Sequence, residues 1–241
     1  MGLKCQCYAL TDIGLKRKIN QDAFLKDESL SLFVVADGMG GHKGGEVASQ
    51  LAVEVMQRYC RENPNLNARD LLDKGINSSS EEIYLQSQKN PELAGMGTTV
   101  AALLVQEGIA YIGQVGDSRA YLISGGEIWQ VTEDHSLVNE EIRAGRLAAG
   151  QAANYQFKNV ITRSVGYEDH VLVDIYRREA KAGEFYFLCS DGLSGLVEIA
   201  EILHEIQKNG PDTGLKNLVA LANARGGDDN ITAMIVELKE G

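Results

Sequence analysis

Three short apolar segments of this sequence each end at an aspartate. They are residues 31–36 before Asp37, residues 109–116 before Asp117, and residues 185–190 before Asp191. Short runs rich in Val, Ile and Phe favour buried β-strands over helices. Each strand would deliver a carboxylate to the loop that follows it. The pattern therefore predicts acidic side chains that converge at one end of a sheet to hold cations.

A glycine-rich stretch follows the first of these segments. Residues 38–45 read GMGGHKGG, and glycine both permits positive φ and lets a ligand or ion approach the backbone closely. The stretch is therefore predicted to be a turn beside the site. It lacks the Lys-Ser/Thr pair of a P-loop and the third glycine of a dinucleotide loop, so nucleotide binding is not expected.

The hydrophobic period changes along the chain and gives an order of elements. Strands are predicted at residues 4–10, 31–36, 98–105, 109–115, 120–123, 127–131, 171–176, 184–189 and 231–238, the last apolar on both faces and therefore central. Helices are predicted at residues 46–61, from the cap Asn67 onward, at 199–207, and at 213–224 with Asp212 as cap. Hairpin connections outnumber βαβ units. The order thus predicts an α+β layered sandwich, with residues 1–241 as one domain.

The segment of residues 134–166 interrupts this order. It is polar, rich in alanine and poor in large apolar residues, with one helix expected at residues 136–144 before Gly145. We interpret it as a surface insertion that forms a flap.

Composition and charge limit the partners. The formal net charge is −11, whereas nucleic-acid binding depends on clustered Lys and Arg, so no nucleic-acid partner is expected. No apolar run is long enough to cross a bilayer or to form a signal core, and a cytoplasmic protein without a membrane partner is predicted. The four cysteines show neither a CxxC pair nor a zinc-binding spacing and are expected to be reduced core thiols.

Seven motifs, in order, carry a resemblance to a known family. They are residues 17–22 (RKINQD), 35–42 (VADGMGGH), 95–99 (GMGTT), 115–119 (VGDSR), 134–136 (DHS), 189–192 (CSDG) and 227–232 (GDDNIT). Together they resemble the protein phosphatase type 2C (PPM) family, and its bacterial branch in particular. The match extends from about residue 9 to residue 236.

The resemblance implies a four-layer αββα sandwich of two mostly antiparallel sheets flanked by helix pairs. It also implies hydrolysis of phosphoserine and phosphothreonine in proteins by a metal-activated water, without a phosphoenzyme. The implied partners are phosphorylated proteins, the substrates of a bacterial Ser/Thr kinase, and the implied state is a monomer. The implied cofactors are two Mg²⁺ or Mn²⁺ ions in the main site and a weaker third ion.

Site residues carry over by position. The matched residues are Asp22, Asp37, Gly38, Asp117, Asp191 and Asp229 for the metal ions and Arg17 for the phosphate. The resemblance implies that Asp37 bridges two ions, that Asp22 acts through water and that Gly38 offers its carbonyl oxygen. Asp117 would share the third ion with Asp191. A structural alternative for Asp117 is that it accepts backbone hydrogen bonds in its turn or pairs with the nearby arginine, Arg119.

Elementary chemistry agrees with a bimetal phosphatase. Hard oxygen ligands without His or Cys select Mg²⁺ or Mn²⁺, which keep several bound waters. Two such ions can acidify a water and neutralise charge on the phosphoryl oxygens. The guanidinium of Arg17 can clamp two of those oxygens, a task for which Lys is a poor substitute.

Two histidines have open roles. Some relatives carry His directly after the Asp-Gly pair as general acid, but this sequence has Met39 there. His42 is a candidate for the same task from the following loop, or for binding phosphate or backbone only. His135 is expected to order the entry into the flap.

Two alternative functions remain open from the sequence. One is a dedicated phosphatase for a phosphoserine regulator of transcription. The other is a noncatalytic phosphoprotein-binding module on the same fold, which predicts the loss of a metal ligand; no ligand position is lost.

Overall fold

The strands pair into two antiparallel sheets in the computed structural model, which describes residues 3–157 and 159–241. The strands are β1 (Leu3–Asp12), β2 (Asp22–Asp27), β3 (Leu32–Met39), β4 (Gly97–Thr98), β5 (Val100–Gln106), β6 (Ile109–Val115), β7 (Arg119–Ser124), β8 (Glu127–Gln130), β9 (Asp174–Glu179), β10 (Phe185–Cys189) and β11 (Ile231–Glu240). The first sheet has the order β1-β11-β10-β7-β8. The second has the order β2-β3-β5-β6-β9, with β4 paired to the end of β3. The last strand of the chain, β11, is central, as predicted.

Helices cover the outer faces of both sheets. The helices of the described residues are α1 (Gly41–Glu62), α2 (Ala68–Lys89), α3 (Leu137–Arg143), α4 (Asp191–Ser194) and α5 (Ile199–Ala224), with 3-10 turns at Pro91–Leu93 and Ala149–Asn154. The α1–α2 pair contacts the second sheet and α5 contacts the first. In the described residues, no helix combines the length and apolar character that a membrane span requires.

Three apolar cores separate four layers. One core lies between the α1–α2 pair and the second sheet, one between the two sheets, and one between the first sheet and α5. Side chains alternate between these cores because successive strand residues point to opposite faces. In β10, for example, Tyr186 and Leu188 pack between the sheets, whereas Phe187 packs toward α5. The predicted αββα sandwich of two antiparallel sheets is confirmed.

Several element boundaries differ from the sequence predictions. Strand β2 was not predicted, because its six residues are bounded by acids and form an edge of the second sheet. The strand expected at residues 171–176 lies at Asp174–Glu179. Val171 and Val173 are buried in the core but have no strand partner in the described register, whereas the more polar residues after them pair with β6.

The two C-terminal helices are joined at a break. Gly210 has φ 73° and ψ 173° within α5 and precedes Pro211, which separates the two predicted helical segments. The predicted cap Asp212 instead accepts a hydrogen bond from Lys216, one turn further on. Pro211 takes the first helical position after the break because it needs no amide donor there.

The glycine-rich stretch is the start of a helix, not the predicted turn. Helix α1 begins at Gly41, and Gly40 before it has φ 127°. Gly38 and Gly45 serve close packing instead, since a Cβ on Gly38 would overlap the carbonyl oxygen of Gly45. Because Gly38 and Gly45 have no side chains, the end of β3 can pack closely against the start of α1.

Candidate metal centre and active site

An open cleft lies at one end of the two sheets. Its volume is about 650 Å³, and it is lined by Lys16, Arg17, Lys18, Ile19, Gln21, Asp37, Gly38, Met39, Gly40, Thr99, Asp117, Asn159, Ile161, Asp191 and Asp229. Six of the predicted site residues therefore share one cleft. Asp22 is not among the lining residues and lies opposite Asp37 in the β2–β3 pair.

Asp22 and Asp37 face each other on neighbouring strands. Like charges in directly opposite positions destabilise a sheet, so this pair indicates a function other than stability. Ser190 Oγ donates to Asp22 Oδ2 at 2.8 Å, which connects Asp22 to the first sheet. This hydrogen bond joins the start of β2 to the end of β10, where Asp191 follows Ser190.

The main chain of Asp37 is held from both sides. Its N–H donates to Thr99 Oγ1 at 3.0 Å, and its carbonyl oxygen accepts from Thr99 N–H at 2.8 Å and from Thr98 Oγ1 at 2.9 Å. Thr99 Oγ1 in turn lies 2.7 Å from Ser118 Oγ. Thr98 and Thr99 belong to the motif of residues 95–99, and their hydrogen bonds fix the end of β3 that carries Asp37.

Asp191 reaches the cleft from the other sheet. It follows β10 and opens α4, and it lines the same cleft as Asp37. A Cβ on Gly192 would overlap the carbonyl oxygen of Asn230, so only glycine fits after Asp191. The prediction that the acids meet at the end of one sheet is therefore wrong. They come from the ends of two packed sheets, which local pattern alone does not distinguish.

Asp229 and Arg17 form an ion pair at the rim. Arg17 Nη2 donates to Asp229 Oδ2 at 2.6 Å, with 48% of the Arg17 side chain exposed. Asn230, which sequence reasoning missed, donates from Nδ2 to the carbonyl oxygens of Ile13 and Ile19 and accepts from Gln21 N–H. It thereby fastens the loop that carries Arg17. The sequence feature that could have identified Asn230 is its place in the motif of residues 227–232.

Asp117 follows β6 and does not pair with Arg119. The Arg119 guanidinium donates instead to both carboxylate oxygens of Asp134, at 2.7–3.0 Å. Gly116, just before Asp117, has φ 100°, and a Cβ there would lie 2.6 Å from Thr99 Cγ2. The structural alternative in which Arg119 neutralises Asp117 is therefore contradicted.

The acids of the cleft have raised pKa values. Burial, with repulsion from Asp191 and Asp229, raises the pKa of Asp22 to about 6. Burial, with repulsion from Asp191 and Asp134, raises the pKa of Asp117 to about 7. The pKa of Asp37 is well above its usual range for the same two reasons, and burial also raises the pKa of Asp191. The protein alone thus lacks the positive charge that these carboxylates need.

Two buried carboxylate oxygens lack a protein partner. Asp22 Oδ1 and Asp191 Oδ1 are fully buried and accept no hydrogen bond in the described residues. Buried polar atoms are normally satisfied, so such atoms require an explanation. Hard divalent cations fit, because they bind carboxylate oxygens. In residues 3–157 and 159–241, no three His, Cys, Asp or Glu side chains can hold an ion unaided.

The histidine candidate remains untested. The side chain of His42 lies outside the described part of the structure, so its expected role as general acid or phosphate ligand stays a prediction. Met39, at the position where some relatives carry His, lines the cleft.

Comparisons agree with this architecture. The cleft at one end of the αββα sandwich gathers buried carboxylates, a kind of site that fits hard divalent cations. The family model described as Protein phosphatase 2C matches residues 16–220. The chain belongs to the protein phosphatase 2C family, and the predicted enzyme class, a protein-serine/threonine phosphatase, is confirmed with it.

Individual relatives cover nearly the whole chain. The serine/threonine phosphatase stp of Listeria monocytogenes serotype 4b is 38% identical over 236 residues, covering 94% of this chain and 93% of its own. The crystal structure of the Mycobacterium tuberculosis phosphatase PstP/Ppp has a TM-score of 0.92 at 34% identity, covering 98% of this chain and 100% of its own. A structure of the PstP catalytic domain in complex with two manganese ions has a TM-score of 0.90 at 33% identity, covering 99% and 100%.

Proposed function

We propose that this chain hydrolyses phosphoserine and phosphothreonine in proteins and so reverses the action of a bacterial Ser/Thr kinase. It uses two Mg²⁺ or Mn²⁺ ions and a more weakly held third, and water attacks the phosphorus directly. The related PstP domain binds two manganese ions, which supports the same pair of ions here.

The observation that carries this proposal is the uncompensated charge of the cleft. Two orphaned carboxylate oxygens and four carboxyl groups with raised pKa values lie together at the meeting point of both sheets. A purely structural cluster would place cationic side chains or N–H donors against these groups. Bound cations would both satisfy the oxygens and restore the ionised carboxylates.

The proposed metal ligands have different roles according to their positions in the cleft. Asp37 and its strand partner Asp22 would hold the two ions together with Asp191, and the Gly38 carbonyl oxygen and Asp229 would complete the ligand set. Asp117 and Asp191 would hold the third ion. When bound, the ions supply an acidified water and neutralise charge on the phosphoryl oxygens.

Arg17 is the proposed phosphate ligand. Its one hydrogen bond in the described residues, to Asp229, uses a single N–H of the five on a guanidinium. Other donors of the same planar group stay available at the rim of the cleft. Residues 134–166, which contribute Asn159 and Ile161 to the lining, would form the flap beside the substrate.

Phosphate release from a phosphothreonine peptide tests the proposal. The purified chain is assayed after removal of metal with EDTA, and again with added Mn²⁺ or Mg²⁺. We expect release only with metal. Binding of the phosphopeptide without release under both conditions would identify a noncatalytic phosphoprotein-binding module and overturn the proposed hydrolysis.

A further inference from the structure

The motif of residues 134–136 is not used by the proposed metal ligands, yet each of its residues has a defined contact. The Asp134 carboxylate accepts hydrogen bonds from Nε and Nη2 of Arg119. The Ser136 hydroxyl accepts from Asn139 N–H and caps α3. His135, between them, is 5% exposed and lies at the junction of the flap and the strand end that carries Asp117.

His135 holds Gly116 through two hydrogen bonds. The His135 N–H donates to the Gly116 carbonyl oxygen at 2.9 Å, and the Gly116 N–H donates to His135 Nδ1 at 3.0 Å. A nitrogen that accepts a hydrogen bond carries no proton, so the neutral imidazole must be protonated at Nε2. The contact therefore requires one tautomer of one protonation state.

The opposite edge of the ring selects that tautomer. His135 Nε2 lies 3.2 Å from Asp174 Oδ2 and can donate to it. Asp174 Oδ1 accepts from Arg163 at 2.8 Å, and Thr162 N–H donates to the His135 carbonyl oxygen at 2.8 Å. The ring thus connects Gly116 to the returning end of the flap segment and to β9.

The carboxylate of Asp117 depends on its main chain for its position. Its neighbour Arg119 is committed to Asp134, and the acids around Asp117 repel it. Gly116 occupies a backbone conformation that only glycine adopts easily, with φ 100°. A backbone of this kind persists only where its surroundings over-determine it, and His135 supplies two of the bonds that do so.

We propose that His135 is a positioning residue for Asp117, which acts through the Gly116 amide and in its Nε2-protonated form. The inference rests on the proposed function, because it assumes that Asp117 serves turnover. His135 would then support turnover by positioning Asp117, in addition to ordering the flap.

Two amide variants separate the two edges of the ring. In His135→Asn the side-chain oxygen takes the place of Nδ1, so the bond from Gly116 N–H is kept and the contact with Asp174 is lost. In His135→Gln the amide NH₂ takes the place of Nε2, so the reverse holds. Ser136→Ala is the matched control, since it removes the α3 cap from the same motif without touching Gly116.

The first measurement needs no metal and no turnover. Hydrogen exchange of the Gly116 amide is followed by NMR in the metal-free protein. We expect protection close to wild type in His135→Asn and in Ser136→Ala, and clear loss of protection in His135→Gln. Equal protection in both histidine variants would overturn the proposed bond.

The second measurement compares two substrates in the presence of Mn²⁺. Removal of a positioning contact next to a metal site typically costs about 10–100-fold. We expect His135→Gln to lose about this much kcat on a phosphothreonine peptide and much less on p-nitrophenyl phosphate, whose leaving group needs little protonation. His135→Asn should retain most activity, and Asp117→Asn should reproduce the pattern of His135→Gln.

The possible results separate a failure of the positioning role of His135 from a failure of the proposed phosphatase function. If wild type releases no phosphate with metal, the proposed function fails whatever the exchange data show. If wild type is active but His135→Gln loses both substrates equally, or loses no more than Ser136→Ala, the positioning role is wrong and His135 is structural.

Discussion

Strand β2 begins and ends with an aspartate, and the two carboxylates have opposite surroundings. Asp27, which is 6% exposed, accepts hydrogen bonds from Ser29, Leu30, Gln57 and Arg61. Asp22, at the other end of the same strand, has an orphaned oxygen. The strand thus carries one acid that is satisfied by the protein and one that is not.

The pKa values follow this difference. Hydrogen bonds from Ser29, Gln57 and Arg61 outweigh burial and hold the pKa of Asp27 well below its usual range. For Asp22, burial and repulsion outweigh the hydrogen bond from Ser190, and the pKa rises to about 6. Asp27 is surrounded by donors, as expected of a buried acid that stabilises the fold, whereas Asp22 is short of donors, which fits its proposed place beside a cation.

The largest expected effect comes from the unsatisfied cluster. Asp37→Asn keeps the side-chain volume but removes the proposed bridge between two ions. Loss of about 4 kcal/mol of transition-state stabilisation corresponds to about a thousandfold in kcat. We expect that loss on phosphothreonine peptide with saturating Mn²⁺.

The same variant should not destabilise the metal-free fold, because it removes a repelling charge. Thermal unfolding in EDTA checks this point. A near-wild-type rate would contradict the bridging role, and a collapsed melting temperature would make Asp37 structural like Asp27.

At the other end of β2, substitution of Asp27 should lower the stability of the fold and leave the activity unchanged. Asp27→Ala removes a carboxylate with several donors, and hydrogen bonds to charged groups contribute about 1.5–3 kcal/mol. We expect the free energy of unfolding in urea to fall by about 2–3 kcal/mol at pH 7, with kcat close to wild type.

Asp212→Ala is the matched control for that loss. Asp212 is exposed and pairs only with Lys216 in the described residues, so its removal should change stability by less than about 0.5 kcal/mol. If Asp27→Ala lost activity without losing stability, the division between the two ends of β2 would be wrong.

A smaller effect is expected at the rim. Arg17→Ala should raise KM for a phosphothreonine peptide about tenfold with a smaller fall in kcat, because a phosphate clamp acts partly in the ground state. Arg17→Lys should recover little, since it cannot form the paired contact. Steady-state kinetics measures both, and an unchanged KM in Arg17→Ala would remove the clamp role.

The last expected effect is a dependence of stability on pH. The ordinary pKa of an aspartate is 3.8, and the folded values of Asp22 and Asp117 are about 6 and about 7. Between about pH 4 and pH 7 the folded, metal-free protein holds protons that the unfolded chain has released. Its free energy of unfolding should therefore fall with rising pH, by about 1.4 kcal/mol per unit for one such proton.

Asp27 acts in the opposite direction and in another range. Its lowered pKa contributes stability above pH 3.8 that is lost as the pH falls below it. Melting temperatures in EDTA from pH 4.5 to 8 should thus decline, and Mn²⁺ should remove the decline. A flat profile in EDTA would show that the cleft carboxylates do not repel one another as described.

Much of this protein was set by local sequence. Alternating and helical apolar patterns are properties of the chain itself, so they located nine of the eleven strands and the helix pairs, and Asn67 caps α2 as predicted. The aspartates that end apolar runs were identifiable because a charged residue after a buried strand has to meet solvent or a ligand.

Only the tertiary structure decided which sheet delivers each acid, that Arg119 serves Asp134, and that His135 holds Gly116. It also separated Asp22 from Asp27, two aspartates of similar local context. The physical reason is that pKa, burial and hydrogen-bond satisfaction depend on neighbours distant in sequence. The donors of Asp27 lie up to 34 residues away, whereas Ser190, which contacts Asp22, is 168 residues away.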